Sequence, residues 1–195
     1  MILESKTTPT TESVRTHYQH PNSLFKSHID RLLPGSVLIP DDQTAANSIY
    51  AASHGWQTFT YHVDSSLIPQ ISRDVKAYNW DFNLGMGGYE LTDYEAESMD
   101  VIAFLNVDVP TYIHQSYFQK ANNCLKKGGL VLLDAYHTDN LSLHPNPGSA
   151  MSEELLQHLF GGFSSVVTRK VDNPFFAGSS RHASHFYKLQ MIAIK

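Results

Sequence analysis

Apolar and polar positions along the chain follow two periods, one typical of strands and one typical of helices. Short apolar runs and strict alternation predict seven strands. They are 36–39, 58–63, a weak strand within 79–86, 99–107, 130–136, 164–171 and 185–194. Apolar residues at helical spacing predict the helices between them. The first helix begins after Asn22 or Ser23 and ends before Pro34, and the others are 44–55, 67–78, 112–129 and 152–160.

The order of these elements predicts an α/β fold. Strands and helices alternate along most of the chain, which is typical of a sheet with helices on both faces. The last two strands leave no room for a crossover helix, so we expect them to pair antiparallel at one edge. No internal repeat or linker divides the chain. We therefore predict one domain over 14–195, preceded by a flexible tail over 1–13.

Composition and charge narrow the function classes. The chain has 195 residues, of which 42% are hydrophobic and 17% charged, as expected of one globular domain. A net charge of −5 disfavours nucleic acid as a partner, because binding phosphates needs clustered lysine and arginine. The single cysteine, Cys124, excludes a disulfide framework and is predicted to be a packed thiol. No apolar run approaches the roughly 18 residues of a membrane span, and the start of the chain is unlike a signal peptide, so we expect a cytoplasmic protein.

Four motifs stand in a characteristic order. VDSS at 63–66 is an acidic motif after the second strand, and SMDVIAF at 98–104 contains the fourth. LKKGGLVLLDAY at 125–136 has the form of a helix end, a Gly-Gly turn and a fifth strand, and MSEELLQHL follows at 151–159. Together these motifs resemble class I S-adenosylmethionine-dependent methyltransferases, within them the tellurite-resistance-type and small-molecule branch. The resemblance covers about residues 15–195.

The resemblance implies a specific architecture and activity. The family has a Rossmann-like, mostly parallel sheet of seven strands in the order 3-2-1-4-5-7-6, with strand 7 antiparallel. It binds S-adenosylmethionine at the carboxyl ends of strands 1, 2 and 4, the edge at which open α/β sheets generally bind ligands. The implied reaction is methyl transfer to a small-molecule acceptor. The sequence leaves open whether the chain forms a homodimer.

The turn after the first strand departs from the family's pattern. The family has an acidic residue and a Gly-x-Gly-x-Gly turn there, whereas this chain reads IPDDQTA over 39–45, without a glycine. Glycine serves where backbone must approach a ligand or adopt a positive φ. Asp41 and Asp42 near a helix start disfavour a dinucleotide, because they would repel its phosphates. Either could pair with the ammonium or sulfonium of S-adenosylmethionine, or simply form a polar turn.

Asp64 is the second candidate for the cofactor. It follows Asp41 by 23 residues, close to the spacing at which a carboxylate after the second strand meets a ribose diol. The alternative is that Asp64 caps the next helix. The family's acidic residue after strand 3 is missing from 85–88, and Asp81 or Asn83 would have to replace it.

The candidate acceptor side contains three residues. Asn106 and Asp108 end the fourth strand, where either could orient an acceptor or act as a base, and Asn106 could also contact the cofactor. The resemblance adds His182, near the last strand. A metal site is disfavoured, because His182 and His185 would point to opposite faces of a strand.

Two hypotheses follow from the sequence. The first is a methyltransferase that uses S-adenosylmethionine to modify a small molecule. The second is a degenerate methyltransferase fold that no longer binds the cofactor and serves as a binding or regulatory module, which the missing glycines favour. Binding of the cofactor separates the two.

Overall fold

A single twisted sheet organises the chain. The computed structural model describes residues 18–61, 63–85, 94–107, 113–140, 150–175 and 184–195. The strands are β1 Ser36–Ile39, β2 Gln57–Thr60, β3 Phe82–Leu84, β4 Met99–Val107, β5 Leu125–Tyr136, β6 Ser165–Phe175 and β7 Ser184–Ile194. The α-helices are α1 Ser23–Ile29, α2 Ala46–Ser53, α3 Ile68–Tyr78, α4 His114–Cys124 and α5 Glu153–Leu159.

The strand order is β3-β2-β1-β4-β5-β7-β6. The neighbouring pairs from β3 to β5 are all parallel. Strand β7 runs antiparallel to both β5 and β6. The predicted order and the predicted antiparallel strand 7 are therefore confirmed.

The central strand β1 is buried on both faces, as expected of a parallel sheet covered by helices. Val37 and Ile39 pack on one face in a cluster with Phe25 of α1 and Tyr50 of α2. On the other face, Leu38 lies in a second cluster. That cluster also contains Phe118 of α4 and Leu156 of α5. The predicted helices on both faces of the sheet are confirmed.

Two predicted helix starts are confirmed by their caps. The Asn22 side chain accepts hydrogen bonds from the backbone of Leu24 and Phe25, and Ser152 accepts one from Leu155. The first helix ends at Ile29, earlier than predicted, and Leu33 beyond it is 91% exposed. Its apolar face therefore covers the sheet only over the first two turns.

The predicted boundary between the fourth helix and the fifth strand is wrong. The helix ends at Cys124, and the Gly-Gly pair that was expected to stop it lies inside β5. Met99 pairs with Leu125 and Val101 pairs with Leu130, so four residues of β5 bulge out opposite Asp100 alone. Gly128 supplies the bulge with a φ of 78°, which costs little without a side chain.

Cys124 itself is a packed thiol, as predicted. It is buried, and its Sγ donates to the carbonyl of Lys120 at 3.0 Å. Burial raises the pKa of this thiol, which disfavours the reactive thiolate. In the described part of the chain, no helix has the length and apolar character that crossing a membrane would require.

Candidate functional site

The loops after β1 and β2 meet at the carboxyl edge of the sheet. The backbone N–H of Asp42 donates to the carbonyl of Tyr61 at 3.3 Å, and that of Asp64 donates to the carbonyl of Gln43 at 2.8 Å. The two acidic loops that the sequence analysis proposes for the cofactor therefore share one rim of the sheet. These bonds also end β2 at Thr60, earlier than the predicted residue 63, because the chain turns towards the first loop.

The β1–α2 turn has a backbone conformation that normally requires glycine. Asp41 has a φ of 57° and Ala45 a φ of 54°, both in the left-handed region. Their separation of four residues equals that of the first and third glycines in a Gly-x-Gly-x-Gly turn. Holding a residue with a Cβ in this region costs about 1–2 kcal/mol. The turn has thus kept the glycine conformation without the glycines.

The side chain of Ala45 does not obstruct the edge. Ala45 is fully buried and packs with Ile49 of α2 and Ile71 of α3. Its Cβ methyl group, which replaces a glycine hydrogen, therefore points into the core and away from the edge. Gln43 is exposed and Thr44 is half-buried at this edge.

Asp42 is committed to the start of α2. Ala45 offers no capping side chain, and the buried Asp42 carboxylate takes that role instead. It accepts hydrogen bonds from the Ser48 backbone at 2.7 Å, the Ser48 hydroxyl and the Asn47 amide at 3.0 Å. Burial raises the pKa of Asp42, against the opposing effect of these donors. The carboxylate therefore holds the turn in shape from inside.

A cleft of about 670 Å³ opens beside this turn. This volume lies within the range of small-molecule and cofactor sites. Its lining residues are Tyr18, Gln19, Gln43, Thr44, Val63, Asp64 and Leu67. Tyr18 closes one side, with its hydroxyl donating to Asp74 of α3 at 2.8 Å. The sequence analysis missed Tyr18, since nothing in its neighbourhood indicates a partner 56 residues away.

Asp64 is the exposed carboxylate of the cleft. Its Oδ1 accepts a hydrogen bond from the Ser66 backbone at 2.8 Å, which caps a short 3₁₀ helix, Ser65–Leu67. That bond lowers the pKa of Asp64, so the group is ionised at neutral pH. The capping alternative is thus correct, and the same carboxylate also faces the cleft.

The residues suggested in place of an acid after strand 3 lie elsewhere. Asp81 precedes β3 and lines a shallow depression at the amino edge of the sheet with Ser36 and Lys126. That suggestion is therefore wrong for Asp81, which lies at the opposite edge from Asp64. Asn83, in the middle of β3, donates to Asp81 at 3.3 Å.

The acceptor-side candidates lie largely beyond the described residues. Asn106 is the second-last residue of β4, so its backbone is at the carboxyl edge, and its side chain is outside the described part. Asp108 and His182 are also outside it. Among the residues that the structure describes, no group of three or more histidine, cysteine or acidic side chains is arranged to hold a metal ion.

Comparison with known proteins shows that the chain shares its fold with solved structures of low sequence identity. No family model and no curated protein sequence matches the chain. The crystal structure of TehB from Haemophilus influenzae is 15% identical, with a TM-score of 0.74, covering 94% of this chain and 65% of that one. An S-adenosylmethionine-dependent methyltransferase from Methanosarcina mazei is 12% identical, with a TM-score of 0.64, covering 91% and 99%. This chain has the class I methyltransferase fold.

A third structure shows this fold with ligands. It is the 1,6-didemethyltoxoflavin-N1-methyltransferase from Burkholderia thailandensis, with bound 1,6-didemethyltoxoflavin and S-adenosylhomocysteine. It is 13% identical, with a TM-score of 0.61, covering 88% of this chain and 75% of that one. In open sheets of this kind, ligands generally bind outside the carboxyl ends of the strands. The cleft beside Asp64 is at that edge.

Proposed function

We propose that this chain is an S-adenosylmethionine-dependent methyltransferase that acts on a small-molecule acceptor. The observation that carries the proposal is the β1–α2 turn. Its left-handed residues Asp41 and Ala45 keep a glycine-type conformation at the edge of a class I methyltransferase sheet. A turn that only had to connect β1 to α2 would not need to hold two strained residues.

Asp64 of the cleft and Asp41 of the neighbouring turn match the chemistry of the cofactor. S-adenosylmethionine has a ribose diol and two positive charges, an ammonium and a sulfonium. Asp64 is ionised and exposed in the cleft, so it would accept hydrogen bonds from the ribose hydroxyls. We assign Asp41 to the ammonium. The Asp42 carboxylate already accepts three hydrogen bonds, so its role is to hold the turn that presents Asp41.

The acceptor would lie towards the end of β4. When bound, the cofactor supplies an electrophilic methyl group. The chain's contribution is then mostly to hold an acceptor in line with that group and to exclude water. Asn106, Asp108 and His182 are the residues we propose for this side, and Asn106 would also contact the cofactor.

The choice of a small-molecule acceptor has two supports. The Burkholderia enzyme of the same fold binds the small molecule 1,6-didemethyltoxoflavin. The net charge of −5 also disfavours a nucleic-acid acceptor. A cytoplasmic location stays a prediction from the sequence, and a homodimer stays a possibility that the sequence leaves open.

Calorimetric titration with S-adenosylmethionine and S-adenosylhomocysteine tests the proposal. We expect saturable micromolar binding by the wild type. Asp64→Ser should weaken it by about tenfold or more, because it removes the charged acceptor proposed for the ribose hydroxyls. Serine is also a good helix cap, so this variant removes the charge and keeps the 3₁₀ helix.

Asp81→Ala is the matched control, since it removes an aspartate from the opposite edge of the sheet. It should bind both ligands as the wild type does. No heat with either ligand at millimolar concentration would contradict the proposal and favour the degenerate fold, a binding or regulatory module without the cofactor.

A further inference from the structure

A chain of polar contacts runs along the carboxyl edge, away from the cleft and towards the far side of the sheet. The Asn47 amide that donates to Asp42 accepts, at its oxygen, a 2.8 Å hydrogen bond from the Asn22 backbone. The Asn22 amide donates to Asp134 Oδ2 at 2.7 Å. Lys188 Nζ lies 3.2 Å from Asp134 Oδ1. These contacts connect β1, α2, α1, β5 and β7.

The chain of contacts bridges strands that do not touch. Strand β4 separates β1 from β5, which places those two strands about 10 Å apart. The polar contacts therefore pass by the end of β4, where the acceptor is proposed to bind. Asp134, two residues before the end of β5, is 3% exposed, so its charge depends on Asn22 and Lys188 for compensation.

Asn22 is the junction of these contacts. Its side-chain oxygen caps α1 by accepting from Leu24 at 2.9 Å and Phe25 at 3.2 Å. The cap alone would use only that oxygen. Its amide and its backbone N–H are directed at two residues far along the chain, 112 and 25 positions away. A serine or an aspartate would cap the helix equally well, but aspartate has no donor for Asp134 and the serine hydroxyl is too short to reach it.

We propose that Asn22 is a positioning residue that couples the β1–α2 cofactor turn to the β5–β7 end of the sheet, through Asn47 and Asp134. This inference rests on the proposed function. In this proposal Asn22 touches neither ligand. It holds the start of α1 against Asn47 of α2 and against Asp134 of β5. The orientation of the Asn47 amide, and with it the Asp42 carboxylate inside the turn, then depends on a contact made on the acceptor side.

Asn22→Asp breaks this coupling selectively. Aspartate keeps the helix cap but places a second carboxylate against Asp134, where the amide had donated. We expect affinity for S-adenosylhomocysteine, measured by calorimetry, to fall about tenfold. Repulsion between the two carboxylates should move residue 22 away from Asn47. If this variant does not fold, Asn22→Ser serves instead, since serine caps the helix and is too short to reach Asp134.

Two further variants separate coupling from simple stability. In the exchange Asn22→Asp with Asp134→Asn, the amide and the carboxylate change places, and affinity should return to within about threefold of the wild type. Asp30→Asn loosens the other end of α1, where Asp30 accepts from Lys26 and Tyr50. It should lower the melting temperature and leave affinity unchanged.

Wild-type affinity in Asn22→Asp would overturn the inference, and so would an equal loss of affinity in Asp30→Asn. Failure of the exchange to restore affinity, with a folded double variant, would do the same. Absence of binding by the wild type would overturn the proposed function itself. The two failures are therefore distinguishable.

Discussion

The two ends of β1 hold carboxylates in opposite ways. At the amino end, Asp100 accepts from the Ser36 backbone at 2.8 Å and pairs with Lys126 at 2.8 Å. At the carboxyl end, Asp42 accepts from Asn47 and Ser48, which are neutral donors. One carboxylate has a cationic side chain as partner, and the other accepts hydrogen bonds from uncharged groups at a helix start.

The different partners shift the pKa values of Asp42 and Asp100 in opposite directions. Burial raises the pKa of Asp100, but the Lys126 ammonium and the Ser36 donors outweigh burial and lower it overall. Burial raises the pKa of Asp42 despite its three donors. At the amino end, Lys126 thus neutralises the Asp100 carboxylate, which links β4 to the start of β1. At the carboxyl end, Asp42 has no lysine or arginine partner among the described residues, and uncharged donors hold this inner carboxylate of the turn.

The largest effect should come from Asp42→Ala. It leaves the Ser48 backbone, the Ser48 hydroxyl and the Asn47 amide buried without an acceptor. We expect a loss of about 3 kcal/mol in the free energy of unfolding, measured with urea. A loss below about 1 kcal/mol would mean that water or another group replaces the carboxylate, and the account of the turn would be wrong.

A pair of alanine substitutions tests the turn conformation. Ala51, inside α2, and Ala45 are both fully buried. Ala51→Gly should cost about 2 kcal/mol, from helix propensity and a lost methyl group. Ala45→Gly should cost less than about 0.5 kcal/mol, because relief of the positive φ offsets the methyl group. Equal costs in urea unfolding would contradict the left-handed conformation of Ala45.

The pH dependence of stability distinguishes the two carboxylates. The folded-state pKa of Asp42 is raised, so the folded protein holds the extra proton between the ordinary and the raised pKa. The stability of the wild type relative to Asp42→Asn should fall as pH rises through that window, by at most about 1.4 kcal/mol per pH unit.

The same comparison for Asp100→Asn should have the opposite sign. The pKa of Asp100 is lowered in the folded state, so its stabilisation is lost as pH falls. Urea unfolding between pH 3 and 7 measures both differences. Two slopes of the same sign would contradict the contrast between the ends of β1.

Asp100→Ala at neutral pH should have a smaller effect than the loss of the Asp42 carboxylate at the other end of β1. The carboxylate is 39% exposed, so solvent screens its ion pair with Lys126. A loss of about 1 kcal/mol in unfolding free energy should result, mainly from the Ser36 backbone donor. Affinity for S-adenosylhomocysteine should not change, and a tenfold change would place the ligand at the wrong edge.

The sequence predicts the elements of this molecule better than their junctions. The four residues of β1 are all apolar or small and stand before a Pro-Asp turn, so their limits were correct. The predicted end of α4 is wrong, because Gly128-Gly129 looks like a helix stop. This glycine pair instead belongs to a bulge that forms opposite Asp100 of the neighbouring strand. Such pairings have no local sequence signal.

The candidate site divides in the same way. Asp64 and Asp42 were found because each follows a recognisable strand. The junction at Asn22 was not, since a helix cap is the complete local explanation of that residue. Its contact with Asp134 spans 112 residues and exists only once the sheet has brought α1 and β5 together.

Hydrogen–deuterium exchange with saturating S-adenosylhomocysteine tests the location of the cofactor most directly. The account predicts slower exchange at the carboxyl edge, over 41–48 and 63–67, with no change at the amino edge, over 98–101 and 125–129. Protection at the amino edge, or no protection at either edge, would contradict it.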